Sequence, residues 1–441
     1  MAHPSSVRRD DDAQRRTFLR RGLRAVAALL LPTAGLLAAC GGGGDDGPGE
    51  RWLSSWAASQ NLRETQTSLS NSTVRMIVRP TASGGLVRVK VENALGTAAV
   101  SFSAAYVGLV DAGARVVTGT NTQVQFAGRN DLTLAPGASA WSDPVALDVK
   151  AFQRLAVSLH VASASDASTH SLGLTTNYLA TGNRAASASE AGFAPVNPVA
   201  QGTSILAFPV YWVSAVDVMS TLPGTIVALG DSITDGRCST TTNGGLLNAG
   251  VVVPDQYVRW TDILAERLAT RPAGERKAVA NAGIAGNRIV AGGNGPPALE
   301  RLDRDVLGLS GVTHVIFFEG TNDISGGATA AIVIDGMQKV VDRLKARNIK
   351  VIGATMMPRG QSATAGFSAV QEQHRLDVNT WLRTQAKLDG LIDFDALTRG
   401  GGKSATGAEI IKPEFNCDYV HPNMAGYAAM GNAIDLALFK D

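Results

Sequence analysis

Between residues 51 and 220 apolar positions recur with period two. Val74, Met76 and Val78 share one side of an extended segment, Thr81-Ala-Ser-Gly-Gly85 supplies a turn, and Val87, Val89 and Val91 follow with Arg88, Lys90 and Glu92 between them. Side chains alternate across a strand, so this reads as a β-hairpin with one wet face. The period returns at 100–109, 122–126, 132–134, 155–161 and 206–213, separated by clusters of Gly, Pro, Asn and Ser. Residues 51–220 are therefore predicted to form an antiparallel β-sandwich of jelly-roll type. The stretch 181–204, poor in large apolar residues, is predicted to be a long surface loop.

From residue 221 the pattern changes. Apolar runs at 226–229, 278–280, 315–318, 350–354 and 391–394 do not alternate, as expected of strands buried on both faces. Stripes of helical period separate them, the clearest being Tyr257, Trp260, Leu264 and Leu268; others lie near 299–307, 328–346, 367–387 and 424–438. This succession predicts an α/β fold with a doubly wound parallel sheet over residues 221–441. A chain of 441 residues is also longer than one core usually supports.

The candidate chemistry sits where the buried runs stop. The run 226–229 ends in Gly230-Asp231-Ser232, which puts a serine hydroxyl at a strand's carboxyl end, the edge where open α/β sheets bind ligands. Asn281-Ala-Gly-Ile-Ala-Gly286-Asn287 and Glu319-Gly-Thr-Asn322-Asp323 mark two more strand ends. Near the C-terminus stands Asp418-Tyr-Val-His421. Three residues from acid to imidazole let one loop hold both, the carboxylate fixing the tautomer while the ring takes a serine proton.

These four blocks, in this order, resemble the SGNH or GDSL-type serine hydrolases. The resemblance covers roughly 224–441 and implies Ser232 as nucleophile, His421 as base and Asp418 as its orienter. It implies an oxyanion hole made by Ser232, Gly286 and Asn322. The Gly-x-Ser-x-Gly elbow of other hydrolases does not surround Ser232. With Arg51-Trp-Leu-Ser-Ser-Trp56 opening a β-rich first domain, the whole is similar to a bacterial subgroup of secreted SGNH esterases linked to acylated plant polysaccharides. The implied activity is removal of small acyl (acetyl) groups from carbohydrate or related esters. Alternatives are a lipase or lysophospholipase, and a non-catalytic carbohydrate-binding surface protein.

Other residues read as structural. Asp231 and Asp323 are expected to tie their loops by local hydrogen bonds. Trp52, Trp56, Trp141 and Trp212 read as core or domain-junction positions rather than sugar platforms. His160, His170, His314 and His374 show no metal-ligand spacing, and neither metal nor cofactor is expected.

Residues 1–40 read as an export signal. Arg15-Arg16-Thr-Phe-Leu-Arg20 resembles a twin-arginine motif, and Leu37-Ala-Ala-Cys40 a lipobox whose cysteine is lipidated. The alternative is a plainly cleaved signal; the apolar run, broken by Pro32, falls short of the roughly 20 residues of a membrane span. Gly41 after the cysteine points, by resemblance to Gram-negative sorting, to the outer membrane. Residues 41–50 are a glycine-rich tether. Without residues 1–39, which hold seven arginines and three aspartates, the formal charge of +2 becomes −2. That removes the case for a nucleic-acid partner. Two cysteines then remain. Cys238 lies six residues after Ser232 and Cys417 directly precedes Asp418, where glycines are expected in the resembling subgroup, so a disulfide is predicted if the two blocks meet. Two buried free thiols are the alternative.

Overall fold

The alternating apolar residues of the first half close into one core shared by two antiparallel sheets. This is a computed structural model describing residues 49–440 except 66, 197, 198, 202, 203, 207, 242–252 and 362–365. The export segment, Cys40 and all but the end of the tether lie outside the described residues. One sheet runs Arg51–Ala57, Val213–Ser220, Gly84–Glu92, Val145–Val149; the other is centred on Ser72–Val78, Leu155–Ser163 and Val100–Ala112.

Two expectations fail here for one physical reason. Ser72–Val78 and Gly84–Glu92 are not a hairpin: they belong to different sheets, and the turn at 79–83 carries the chain across the core. Period two fixes which side chains share a face, not which strand is the neighbour. Nor is the opposite face wet. Lys90 and Glu92 are buried, and Lys90 Nζ lies 3.4 Å from Arg304 O of the second half. The predicted loop 181–204 also carries structure, for Ala194–Pro195 pairs with Tyr178–Thr181 and Val199–Gln201 with Ser204–Leu206.

The tryptophans are used internally. Trp212 is fully buried, edge to face with Phe102 at 5.4 Å. Trp52 and Trp141 both lie over the Arg88 guanidinium, at 4.7 and 4.6 Å, and Trp56 packs against the shared core.

The second half is a five-stranded parallel sheet in the order Ala278–Gly283, Thr225–Gly230, Val312–Phe318, Lys350–Ala354, Gly390–Ile392. Along Thr225–Gly230, Val227 and Leu229 join one apolar cluster while Ile226 and Ala228 join another, so both faces are covered and the run need not alternate. The long helices are Trp260–Ala269, Ala330–Lys345, Ala369–Thr384 and Met424–Ala433. The third begins with Ser368 and Gln371 in a reciprocal capping box. The differences from expectation are local. The helix near 299–307 is Ala298–Leu302 widened into a π turn over Asp303–Leu307, and a hairpin of Arg399–Lys403 and Glu409–Ile411 interrupts the alternation. No helix among the described residues is long and apolar enough to cross a membrane.

Residues 221–224 alone separate Val213–Ser220 from Thr225–Gly230, and Gly47–Asp441 form one compact unit. The halves bond to each other directly. Ser54 N donates to Ser310 O at 3.0 Å and Ser310 N returns a bond to Ser54 Oγ at 2.8 Å. Thr81 Oγ1 meets both N and O of Val279, at 2.8 and 3.0 Å.

Candidate active site

Thr225–Gly230 is flanked by the second and the third strand in chain order, so the strand order reverses there: its own connection runs to Ala278–Gly283 on one side and the next crosses to Val312–Phe318 on the other. A crevice opens at the carboxyl end of such a strand. There the chain breaks into a single helical turn, Ser232–Asp235. Asp231 caps it by accepting from Ile233 N at 2.9 Å, and Gly236 closes it in the left-handed conformation, φ 104°. Ser232 is thus fixed at the start of the turn, 5% exposed.

The structure brings Ser232, His421 and Asp418 into one hydrogen-bonded chain. His421 Nε2 lies 2.8 Å from Ser232 Oγ, and Nδ1 lies 2.9 and 3.0 Å from the Asp418 carboxylate oxygens. Asp418 Oδ1 also accepts from the backbone N–H groups of His421, 2.8 Å, and Val420, 3.1 Å. Burial opposes the charged carboxylate, but these donors outweigh it and hold Asp418 at about 2. Burial pushes His421 below its ordinary 6.5; Arg237 and Arg359 add to this, and Asp418 restores only part of it. A neutral imidazole beside a fixed carboxylate can take a proton from a hydroxyl. Two further buried acids are the cap Asp231 and Glu319, which follows the strand Val312–Phe318. Burial raises Asp231 to about 7 and Glu319 to about 8, so Asp418 is the carboxylate that His421 feels most.

Gly286 sits on the loop after Ala278–Gly283, and Asn322 in the short helix Thr321–Ser325 that follows Val312–Phe318. Gly286 has φ 77°, and a Cβ there would meet Asn294 Nδ2 at 2.5 Å. Asn322 Nδ2 donates to Asn287 O at 3.0 Å, which leaves the second amide hydrogen available. Asp323, in the same short helix, reaches the loop of Gly286, accepting from Ile289 N at 3.0 and 3.1 Å and from Val290 N at 3.3 Å. It ties its helix to a separate loop, a longer reach than the local bond expected of it.

Cys238 and Cys417 are joined by a disulfide, their Cα atoms 6.4 Å apart. Ligand atoms of Cys238, Asp418 and His421 lie within 4.8 Å of one another. They do not make a metal centre, because the Cys238 sulfur is already bonded and the other two groups are engaged with each other.

Arg359 was not visible in the blocks. Its Nη1 donates to Thr321 O at 3.1 Å, Thr321 Oγ1 at 3.2 Å and Asn322 Oδ1 at 3.3 Å, so it fixes the amide from the oxygen side. The signal that could have found it is the strand-end rule applied once more, since Arg359 follows the fourth strand of the sheet.

Residues 228–429 match the profile of the GDSL-like Lipase/Acylhydrolase family. No curated protein matches the chain. Solved structures with a similar part include a GDSL-like lipase from Bacteroides thetaiotaomicron, 20% identical over 49% of this chain and 88% of its own, TM-score 0.34. Another is Est24, a carbohydrate acetylesterase from Sinorhizobium meliloti, 16% identical over 48% and 95%, TM-score 0.34. A third is an aryl esterase of M. smegmatis, 17% identical over 48% and 95%, TM-score 0.34. The chain thus carries a GDSL-like lipase/acylhydrolase domain over residues 228–429.

Proposed function

We propose that Ser232 is the nucleophile of a two-step acyl transfer to water, removing small acyl groups from carbohydrate or related polar esters. The observation that carries this is the hydrogen-bonded chain from Ser232 through His421 to Asp418. His421 takes the Ser232 proton as Oγ attacks the ester carbonyl, then returns it to the leaving alcohol; water repeats the cycle on the acyl-enzyme. The Ser232 and Gly286 N–H groups and the Asn322 amide receive the oxyanion, each such donor typically adding about 10² to 10³ in rate.

The substrate class rests on the polarity of the rim. Among the described residues Arg237, Asn294, Asn322, Arg359 and Tyr419 all reach solvent near the serine or the Gly286 loop, a surface suited to a hydroxyl-rich alcohol. A chain-length series of p-nitrophenyl esters beside acetylated xylan tests this. Acetate is expected to give the highest kcat/KM with at least about a tenfold fall by octanoate, since each misplaced methylene is worth a few kcal/mol at most. A maximum at eight carbons or longer assigns the chain to lipase-type substrates instead.

The pH dependence follows from His421. Its folded-state value lies below 6.5, so the active neutral form is lost only as pH falls below that point. The acid limb of kcat/KM should therefore have its midpoint below about 6.5, with full activity by neutrality. A midpoint above about 7 would contradict His421 as the base in this environment.

A further inference from the structure

We propose that His170, a residue of the β-rich half, is held as an imidazolium and positions the oxyanion loop through Asp235, so that the β-rich half is part of the catalytic scaffold. The inference rests on Gly286 as an oxyanion donor. His170 closes the strand Ala167–His170, which pairs with Leu62–Glu64 and Val210–Tyr211 in a small sheet. It is 4% exposed.

Both ring nitrogens face acceptors. Nδ1 lies 2.8 Å from Ser59 O; Nε2 lies 3.1 Å from Asp235 Oδ1 and 3.3 Å from Leu172 O. A neutral imidazole donates from one nitrogen only, so one contact would set a lone pair against an oxygen. Protonation satisfies both. Burial works against the charge, but Asp235 and the Ser59 carbonyl outweigh it and raise His170 above its ordinary value; Arg259, the other charged group bearing on the ring, pulls the other way.

Asp235 is the relay. It ends the turn that begins with Ser232, and its Oδ2 accepts from Ala285 N at 2.7 Å, one residue before Gly286. One carboxylate thus holds the nucleophile turn, the oxyanion loop and the β-rich half together. Two independent contacts fix the same junction. Ala285 packs against Leu172 and Leu174, while Arg259 donates from Nε to Asp235 O at 2.6 Å and from Nη2 to Gly173 O at 3.0 Å. If His170 loses its proton, Nε2 turns a lone pair toward the carboxylate, and the bond that aims the 285–286 segment weakens.

The test is kcat and KM from pH 6 to 10 for the full-length enzyme and for His170→Gln. The parent is expected to lose kcat on the alkaline side. His170→Gln should have kcat lower by about tenfold to a hundredfold, the cost of a displaced catalytic group. Its KM should change by less than about threefold, and its alkaline limb should be gone. Asp235→Asn should lower kcat alike. Should the variants fold poorly, ring ¹⁵N shifts of His170 in the parent decide: two protonated nitrogens at pH 7.5 support the proposal and a neutral ring overturns it. Unchanged kcat and an unchanged alkaline limb in His170→Gln also overturn it. Failure of the nucleophile assignment is read separately, from Ser232→Ala.

Discussion

Ser232→Ala is expected to lower kcat/KM for ester hydrolysis by about 10⁴ to 10⁶, while leaving the unfolding midpoint in denaturant almost unchanged. The hydroxyl's partner is His421 Nε2, and the strand and cap that hold residue 232 are built from other groups: the buried run Thr225–Gly230, Asp231 and Gly236. His421→Ala should match the loss, and the double variant should lose little more, because the two side chains act as one unit. Asp418→Asn should cost about 10⁴, since the carboxylate sets the tautomer and faces the imidazolium. Activity of Ser232→Ala within tenfold of the parent, with lipid-free and esterase-free controls, would remove Ser232 from the mechanism.

The second large effect concerns the bond between Cys238 and Cys417. It closes a loop with a sequence separation of 179, for which the chain-entropy relation gives about 5 kcal/mol, with about 2 to 5 usual for native bridges. The bridge also ties the segment after the serine turn to the loop that carries Asp418 and His421, and Cys238 Sγ lies 3.8 Å from Asp418 Oδ2. Replacing both cysteines with serine should therefore shift the denaturant midpoint strongly downward and lower kcat more than it raises KM. An equal midpoint for parent and double variant would show that the bridge adds nothing to the native state.

The residues set by strand ends were legible because a buried run that stops at Gly230-Asp231-Ser232 leaves one place for the serine, and because Asp418 and His421 share a short loop. Cys238 and Cys417 followed from the same proximity. The α/β half could be read through, since its strands are buried on both faces and its helices carry one apolar stripe. The β-rich half could not. Val74 and Val87 both point into the shared core from opposite sheets, and a pattern of period two is the same for strands that face each other as for strands that pair. His170 looked ordinary because nothing around it in sequence announces Asp235. A buried ion pair between residues 65 apart is written in the fold, not in a local motif. Lys90 looked solvated for the same reason, its cover coming from Arg304 far along the chain, and Glu92 is buried with it as its ion-pair partner.

The strand Arg51–Ala57 is hydrogen-bonded to Val213–Ser220, the last β-rich strand before the link at 221–224, so both ends of the first half meet at the seam with the second. A half held in this way cannot travel between genes as a portable cassette. Exchanging it would cut Ser54 from Ser310, Thr81 from Val279 and His170 from Asp235 in a single step. Among relatives, a substitution at His170 should arrive together with an answering change at Asp235, whereas position 310, which bonds Ser54 through its backbone, is free of that constraint.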